Sequence, residues 1–286
     1  MNALALGLVL TAAVLHATWN LLAKRANTGS PFLWLTFAIS TALYAPFAIA
    51  VFILWPRPIT PLDIAFMVGN GILHMIYFVI LQRGYRLGEL SVVYPLARGT
   101  GPLLSSIAAV VFLGERPTPL AIAGILIIVT GVFLASGFAR IKDAKARASV
   151  FYGLATGVSI AIYTLWDKHA MSALGISAIL YDWGGNFVRF VLMTPVALRR
   201  WNEVRAAYHE HRFEAAGIAV LSPLAYLLVL WALTWTPVTY VAPARELSIM
   251  FGTIFGIVFF RERERARQRL IAAALMLAGI IALAFG

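Results

Sequence analysis

Five ionisable residues sit inside long apolar runs of this sequence: Arg98, Asp182, Arg189, Arg245 and Glu246. A charge at the centre of a membrane helix costs about 2.5–3.5 kcal/mol on insertion scales, so such residues mark function or internal pairing. Arg98 and Arg245 occur in matching contexts, VYPLARGTGPLLSSIAAVVFLGER over 93–116 and YVAPARELSIMFGTIFGIVFFRER over 240–263. Each arginine follows a proline, Pro95 or Pro243, and Pro102 denies the Arg98 carbonyl its helical partner. Gly99 and Gly101 loosen the same stretch, as at the broken binding-site helices of transporters. Two guanidiniums at such points suit a carboxylate or phosphate. The same residues, with Glu246, would equally make an Arg–Glu network that ties helices together, and one arginine could serve each purpose. Glu246 is also the candidate for an exchangeable proton.

Polar and aromatic residues recur at helical spacing around these charges. The fourth span carries Tyr94, Arg98 and Ser105, and the ninth carries Arg245, Ser248 and Gly252. The first carries His16, Trp19 and Asn20, the third Asn70, His74, Tyr77 and Phe78, and the sixth Ser159, Tyr163 and Trp166. Such stripes describe a cavity with aromatic walls and few hydrogen-bonding groups, although small and polar residues also glue membrane helices together. The candidate substrate-binding residues are Trp19, His74, Tyr77, Phe78, Tyr94, Arg98, Tyr163, Trp166, Arg245, Glu246 and Ser248. Asp182, Asn186 and Arg189 share one face of the seventh span and read as an interhelical network. Catalytic patterns are absent. There is no cysteine, no H-E-x-x-H, no phosphate-binding Gly-x4-Gly-Lys and no Gly-x-Ser-x-Gly elbow. His209-Glu210-His211 has the wrong spacing for ligands on one helical face. The sequence therefore predicts no enzyme, no metal and no cofactor, and transport energy drawn from a gradient rather than from ATP.

The positioning elements follow from composition. Of 286 residues, 61% are apolar and 12% charged, and the mean hydropathy is +0.85. A soluble domain carries about a quarter charged residues, so the chain reads as an all-α, multi-pass membrane protein with the lipid bilayer as its partner. The net charge of +11 is not gathered on a soluble module, which excludes nucleic acid as a partner. Nothing points to an obligate protein partner. About 20 apolar residues cross the hydrocarbon core, which places ten spans at 3–23, 31–54, 62–83, 90–113, 118–137, 149–170, 176–198, 213–235, 239–260 and 268–285. Met1 to Leu22 reads as the first of these rather than as a cleavable signal. Residues Arg199 to Arg212 suit a short amphipathic surface helix. Seventeen Lys and Arg lie in the odd-numbered loops, whereas the even-numbered loops hold only Arg57, Arg116 and Lys168. The positive-inside rule puts the odd loops in the cytoplasm and both termini on the other side.

An offset of 147 aligns Ala97-Arg98 with Ala244-Arg245, Phe112 with Phe259, and Glu115-Arg116 with Glu262-Arg263. The chain thus divides into a first five-helix repeat, 1–137, a cytoplasmic linker, 138–148, and a second repeat, 149–286. Five is odd, so the second half enters from the opposite face and the repeats are inverted.

On the hairpins VYPLARGTGPLLSSIAAVVFLGERPTPLAIAGILIIVTGVFLA and VAPARELSIMFGTIFGIVFFRERERARQRLIAAALMLAGIIAL, with their Glu-Arg corners and the Gly131 and Gly279 helices, the chain resembles the drug/metabolite transporter superfamily, EamA type. The resemblance covers nearly the whole chain. It implies ten helices in two inverted halves, a cavity lined by spans 1, 3, 4, 6, 8 and 9, peripheral spans 5 and 10, and a bacterial-type inner membrane. It also implies export of amino acids or related metabolites by alternating access, with similarity to aromatic amino-acid exporters. Many members have cytoplasmic termini, which the loop charges here oppose. The competing reading is a permease for an anionic or organophosphorus metabolite held by Arg98 and Arg245 together.

Overall fold

The computed structural model describes residues 2–26, 29–54, 58–136, 144–260 and 266–286. Trp55, Arg57, Arg140, Lys142, Arg261, the Glu262–Arg263 corner and Arg265 lie outside them. The described chain is helical: α1 (Ala3–Ala26), α2 (Ser30–Leu54), α3 (Pro61–Leu87), α4 (Leu90–Leu113), α5 (Pro119–Ser136) and α6 (Ala144–Lys168), which runs on as a π-helical turn (His169–Ala173). Then come α7 (Ala178–Arg199), α8 (Trp201–Trp235), α9 (Val238–Arg245), α10 (Leu247–Phe260) and α11 (Ala266–Phe285). The last five residues of the expected linker, 144–148, already belong to α6. Among the described residues six helices, α1–α4, α6 with its π turn, and α8, are long and apolar enough to cross a membrane.

Local chemistry sets the ends. Thr60 and Asp63 form a reciprocal capping box, with Pro61 in the first turn of α3. Gly114 ends α4 at φ +67°, a left-handed conformation that only glycine adopts without strain. His211, at φ −131°, kinks α8. The kink separates an amphipathic surface stretch, where 199–212 was expected, from a membrane span of about 36 Å at 1.5 Å per residue.

One expected span is broken. Residues 239–260 read as a single helix, but Glu246 interrupts it and leaves α9 and α10 as two half-helices. Pro243 supplies no N–H and crowds the preceding turn. The chain then tightens into i→i−3 hydrogen bonds, Glu246 N–H to the Pro243 carbonyl at 3.1 Å and Ile249 N–H to the Glu246 carbonyl at 2.9 Å. Its counterpart α4 keeps both Pro95 and Pro102 inside one continuous helix.

The packing between the two halves comes in matched pairs. If α1–α5 are set against α6–α8, α9 with α10, and α11, then α3 on α6 is answered by α8 on α1, and α4 on α6 by α10 on α1. Likewise α3 on α7 is answered by α8 on α2, while α2 with α7, α4 with α9 and α5 with α11 pair with their own counterparts. A Cβ on Gly124 of α5 would sit 2.8 Å from the Gly279 carbonyl of α11, and one on Gly279 would sit 2.8 Å from the Gly124 carbonyl. Small residues there let two backbones meet, as membrane helices require.

Polarity is distributed inside out. Phe52, Ile53, Phe112 and Phe213 stand exposed, whereas Asn70, Asp167, Asp182, Arg189 and Glu246 are buried. Lipid rather than water is the solvent that makes such a surface stable.

Candidate functional site

The break at Glu246 decides what the two arginines do. Residues i and i+1 of a helix point about 100° apart, so Glu246 turns away from Arg245 and reaches α4. Its Oε2 lies 2.9 Å from Arg98 Nε, and Arg98 Nη2 donates to Ser248 Oγ at 3.0 Å. Glu246 is buried and Arg98 is mostly shielded, its side chain 13% exposed. Arg98, Glu246 and Ser248 thus form a clasp between the halves.

Arg245 lies with its guanidinium 5.9 Å from the centre of the Tyr163 ring, a cation–π arrangement. Among the described residues no carboxylate lies within 4 Å of it. Tyr163 in turn stacks on His74 at 4.3 Å and meets Tyr77 edge-on at 5.7 Å. His16 stands within electrostatic reach of both Arg98 and Arg245 and packs edge-on against Trp19 at 4.7 Å. Tyr94 is within hydrogen-bonding reach of Arg98. The structure therefore gathers His74, Tyr77, Tyr94, Arg98, Tyr163, Arg245, Glu246 and Ser248 around one centre, with Trp19 reaching it only through His16 and packing toward Phe32 and Leu35. Two expected residues are set apart from it. Trp166 donates from Nε1 to the Phe66 carbonyl at 3.0 Å, stacks on the Phe66 ring and lies over Gly69, where a Cβ would come 2.4 Å from its ring. Phe78 is half-buried and makes no ring contact with the cluster among the described residues.

The sequence profile of the EamA-like transporter family matches residues 3–137 and again 147–285. The chain belongs to the EamA-like transporter family. Members are membrane transporters of small molecules, not enzymes, and the double match reflects the repeat carried by Arg98 and Arg245. One solved crystal structure superposes on all of this EamA-family chain and on 98% of its own length, at a TM-score of 0.76 and 17% identity. That likeness shows the fold alone. No protein of curated function matches the chain.

Two features of this EamA-family chain give its sequence motifs a physical role. Glu115 of the first Glu-Arg corner reaches across to α9, where Oε1 accepts from Val238 N–H at 2.7 Å and Oε2 from Thr239 N–H at 2.9 Å. A carboxylate there satisfies N–H groups left open at a helix start and complements its dipole. Lys168 Nζ donates to the carbonyls of Leu233 and Thr236 at 2.9 and 3.1 Å, closing the end of α8. The corner that presents Arg245 is thus fastened from both sides. Asp182, Asn186 and Arg189, expected to bond between helices, instead bond along α7 itself, with Asn186 Nδ2 donating to Asp182 Oδ1 at 3.1 Å and Arg189 3.8 Å from the same oxygen; Arg189 reaches α2 over the Phe37 ring. Sequence reading passed over Asp167, Tyr181 and Tyr226, which join Asn70 in a buried cluster. Tyr181 donates to Asp167 Oδ1 at 2.8 Å, Tyr226 to Oδ2 at 2.6 Å, and Asn70 Nδ2 to Oδ1 at 3.1 Å. The only signal was a charge in the apolar part of α6, masked by Lys168 beside it.

Proposed function

We propose that the protein is a secondary transporter that exports amino acids, aromatic ones favoured, by alternating access around Arg245. The observation that carries this reading is a half-buried guanidinium facing the His74–Tyr163 stack with, among the described residues, no carboxylate of its own within 4 Å. A substrate carboxylate supplies the missing anion, in bidentate geometry. The rings of Tyr163, Tyr77 and His74 receive an apolar side chain. α10 starts two residues beyond Arg245, so the positive end of a half-helix adds to the potential there. Matched packing between the halves supports ten spans in two inverted repeats, 1–137 and 149–286, joined at 138–148. Such halves rock against each other without a new fold. Pairing of Arg98 with Glu246 leaves one guanidinium without a carboxylate partner rather than two, which counts against a dianionic organophosphate.

Counterflow in proteoliposomes tests the substrate class. Vesicles preloaded with unlabelled compound take up labelled L-tryptophan or L-phenylalanine faster than empty vesicles, and organophosphates give no such exchange. Exchange of phosphorylated compounds alone would overturn the amino-acid assignment.

The loop charges support an orientation with both termini outside, and the family resemblance supports a bacterial-type inner membrane. A fluorescent reporter that matures only in the cytoplasm stays dark when fused to Gly286. A bright fusion would reverse the orientation.

A further inference from the structure

Asp167 stands apart from Glu246 and Asp182. Glu246 faces Arg98 at 2.9 Å and Asp182 faces Arg189 at 3.8 Å. Asp167 is fully buried, and among the described residues no cation lies within 4 Å of it. Its partners are the neutral donors Asn70 from α3, Tyr181 from α7 and Tyr226 from α8. The charged groups that face it more distantly are Arg245 from α9 and Asp182 and Arg189 from α7, with the latter two paired to each other. Lys168, next in sequence, turns its ammonium to the α8 carbonyls instead. Asp167 is therefore a buried carboxylate whose charge can change without breaking an ion pair. Its tyrosine partners serve either state, since a hydroxyl both donates and accepts.

Asp167 is also connected. Asn70 Nδ2 bridges to Tyr226 Oη at 2.7 Å, and the Asn70 carbonyl lies 3.0 Å from His74 Nδ1. A carbonyl only accepts, so Nδ1 carries the proton and Nε2 is left as an acceptor. The His74 ring stacks on Tyr163, over which Arg245 lies, and meets Tyr226 edge-on at 5.3 Å. On the other side, a cavity of about 300 Å³ is lined by Lys168, His169, Glu115 and Ser172. The residue next to Asp167 thus borders a space roomy enough for several waters.

We propose that Asp167, held by Asn70, Tyr181 and Tyr226, is a proton-binding site that couples transport to a proton gradient in antiport. Water on one face gives a proton to Asp167 Oδ2, and water on the opposite face receives it later in the cycle. Only O–H bonds of water and of the carboxyl form and break. This inference rests on the amino-acid reading for its sign. The α-ammonium of a substrate held by Arg245 favours the ionised carboxylate across the His74 stack, so a bound substrate and a bound proton oppose each other.

Proteoliposomes with an acidic lumen and labelled L-tryptophan outside test it. Wild type accumulates tryptophan above the outside concentration. Asp167→Asn only equilibrates, while its counterflow stays within about twofold of wild type. Asp167→Asn accumulation equal to wild type would overturn the proposal, as would wild-type uptake insensitive to the gradient or driven by an alkaline lumen. If the amino-acid reading fails, tryptophan shows no counterflow in wild type, and the comparison is made on whichever compound of the panel exchanges. Tyr226→Phe removes one donor from the carboxylate and covers the case in which Asp167→Asn does not fold. It moves the pH of half-maximal accumulation toward alkaline values; an unmoved profile would contradict the proposal.

Discussion

Arg98→Gln lowers the stability of the protein by about 3–5 kcal/mol, the cost of leaving a buried carboxylate without its counter-charge. Glu246→Gln does the same from the other side. The clasp joins α4 of the first half to the α9–α10 break of the second, at 2.9 Å and with the carboxylate buried, so the loss falls on the interface between the halves. The double variant Arg98→Gln/Glu246→Gln recovers most of the loss, because two neutral amides in the same place leave no charge unpaired. Apparent melting temperatures in detergent, read as a double-mutant cycle, measure this coupling. Additive losses in the double variant would mean that the two residues act independently.

Arg245→Gln has the opposite signature. It removes a half-buried cation with no described carboxylate within 4 Å, so the melting temperature holds or rises, as when a functional site is relieved of its cost. Transport per folded molecule falls by about 10- to 150-fold, the equivalent of a charge-assisted hydrogen bond worth about 1.5–3 kcal/mol. Arg245→Lys keeps the charge but loses the planar fork, and recovers only part of the rate. Normal specific activity in Arg245→Gln would remove this residue from the site.

Much of the architecture was legible in the sequence because lipid imposes simple rules. Span length, the 147-residue offset and the surface helix near 199–212 all follow from apolar run length and the placement of charges. That Asp182, Asn186 and Arg189 meet was legible because they repeat at i, i+4 and i+7, but that same spacing closes their bonds within α7 rather than between helices. The division of labour between Arg98 and Arg245 was not. Both occupy the same place in the repeat, and Glu246 adjoins Arg245 in sequence. Only the break in the second half, absent from α4, swings Glu246 onto Arg98 and leaves Arg245 over Tyr163. Trp166 lies on the same stripe as Tyr163, yet the closeness of Gly69 draws it into packing. Asp167 was hidden for a different reason. A carboxylate beside a lysine near a span end looks like an interfacial pair, and its true partners, Tyr181 and Tyr226, are 14 and 59 residues away.

The central claim is that Arg245 binds the substrate carboxylate, and equilibrium binding of L-phenylalanine against phenethylamine, its decarboxylated analogue, tests it most directly. Wild type should bind the amino acid about 10- to 150-fold more tightly than the amine. Arg245→Gln should bind the two almost equally, while Arg98→Gln, in whatever fraction folds, keeps the preference. A preference for L-phenylalanine that survives in Arg245→Gln would contradict the account.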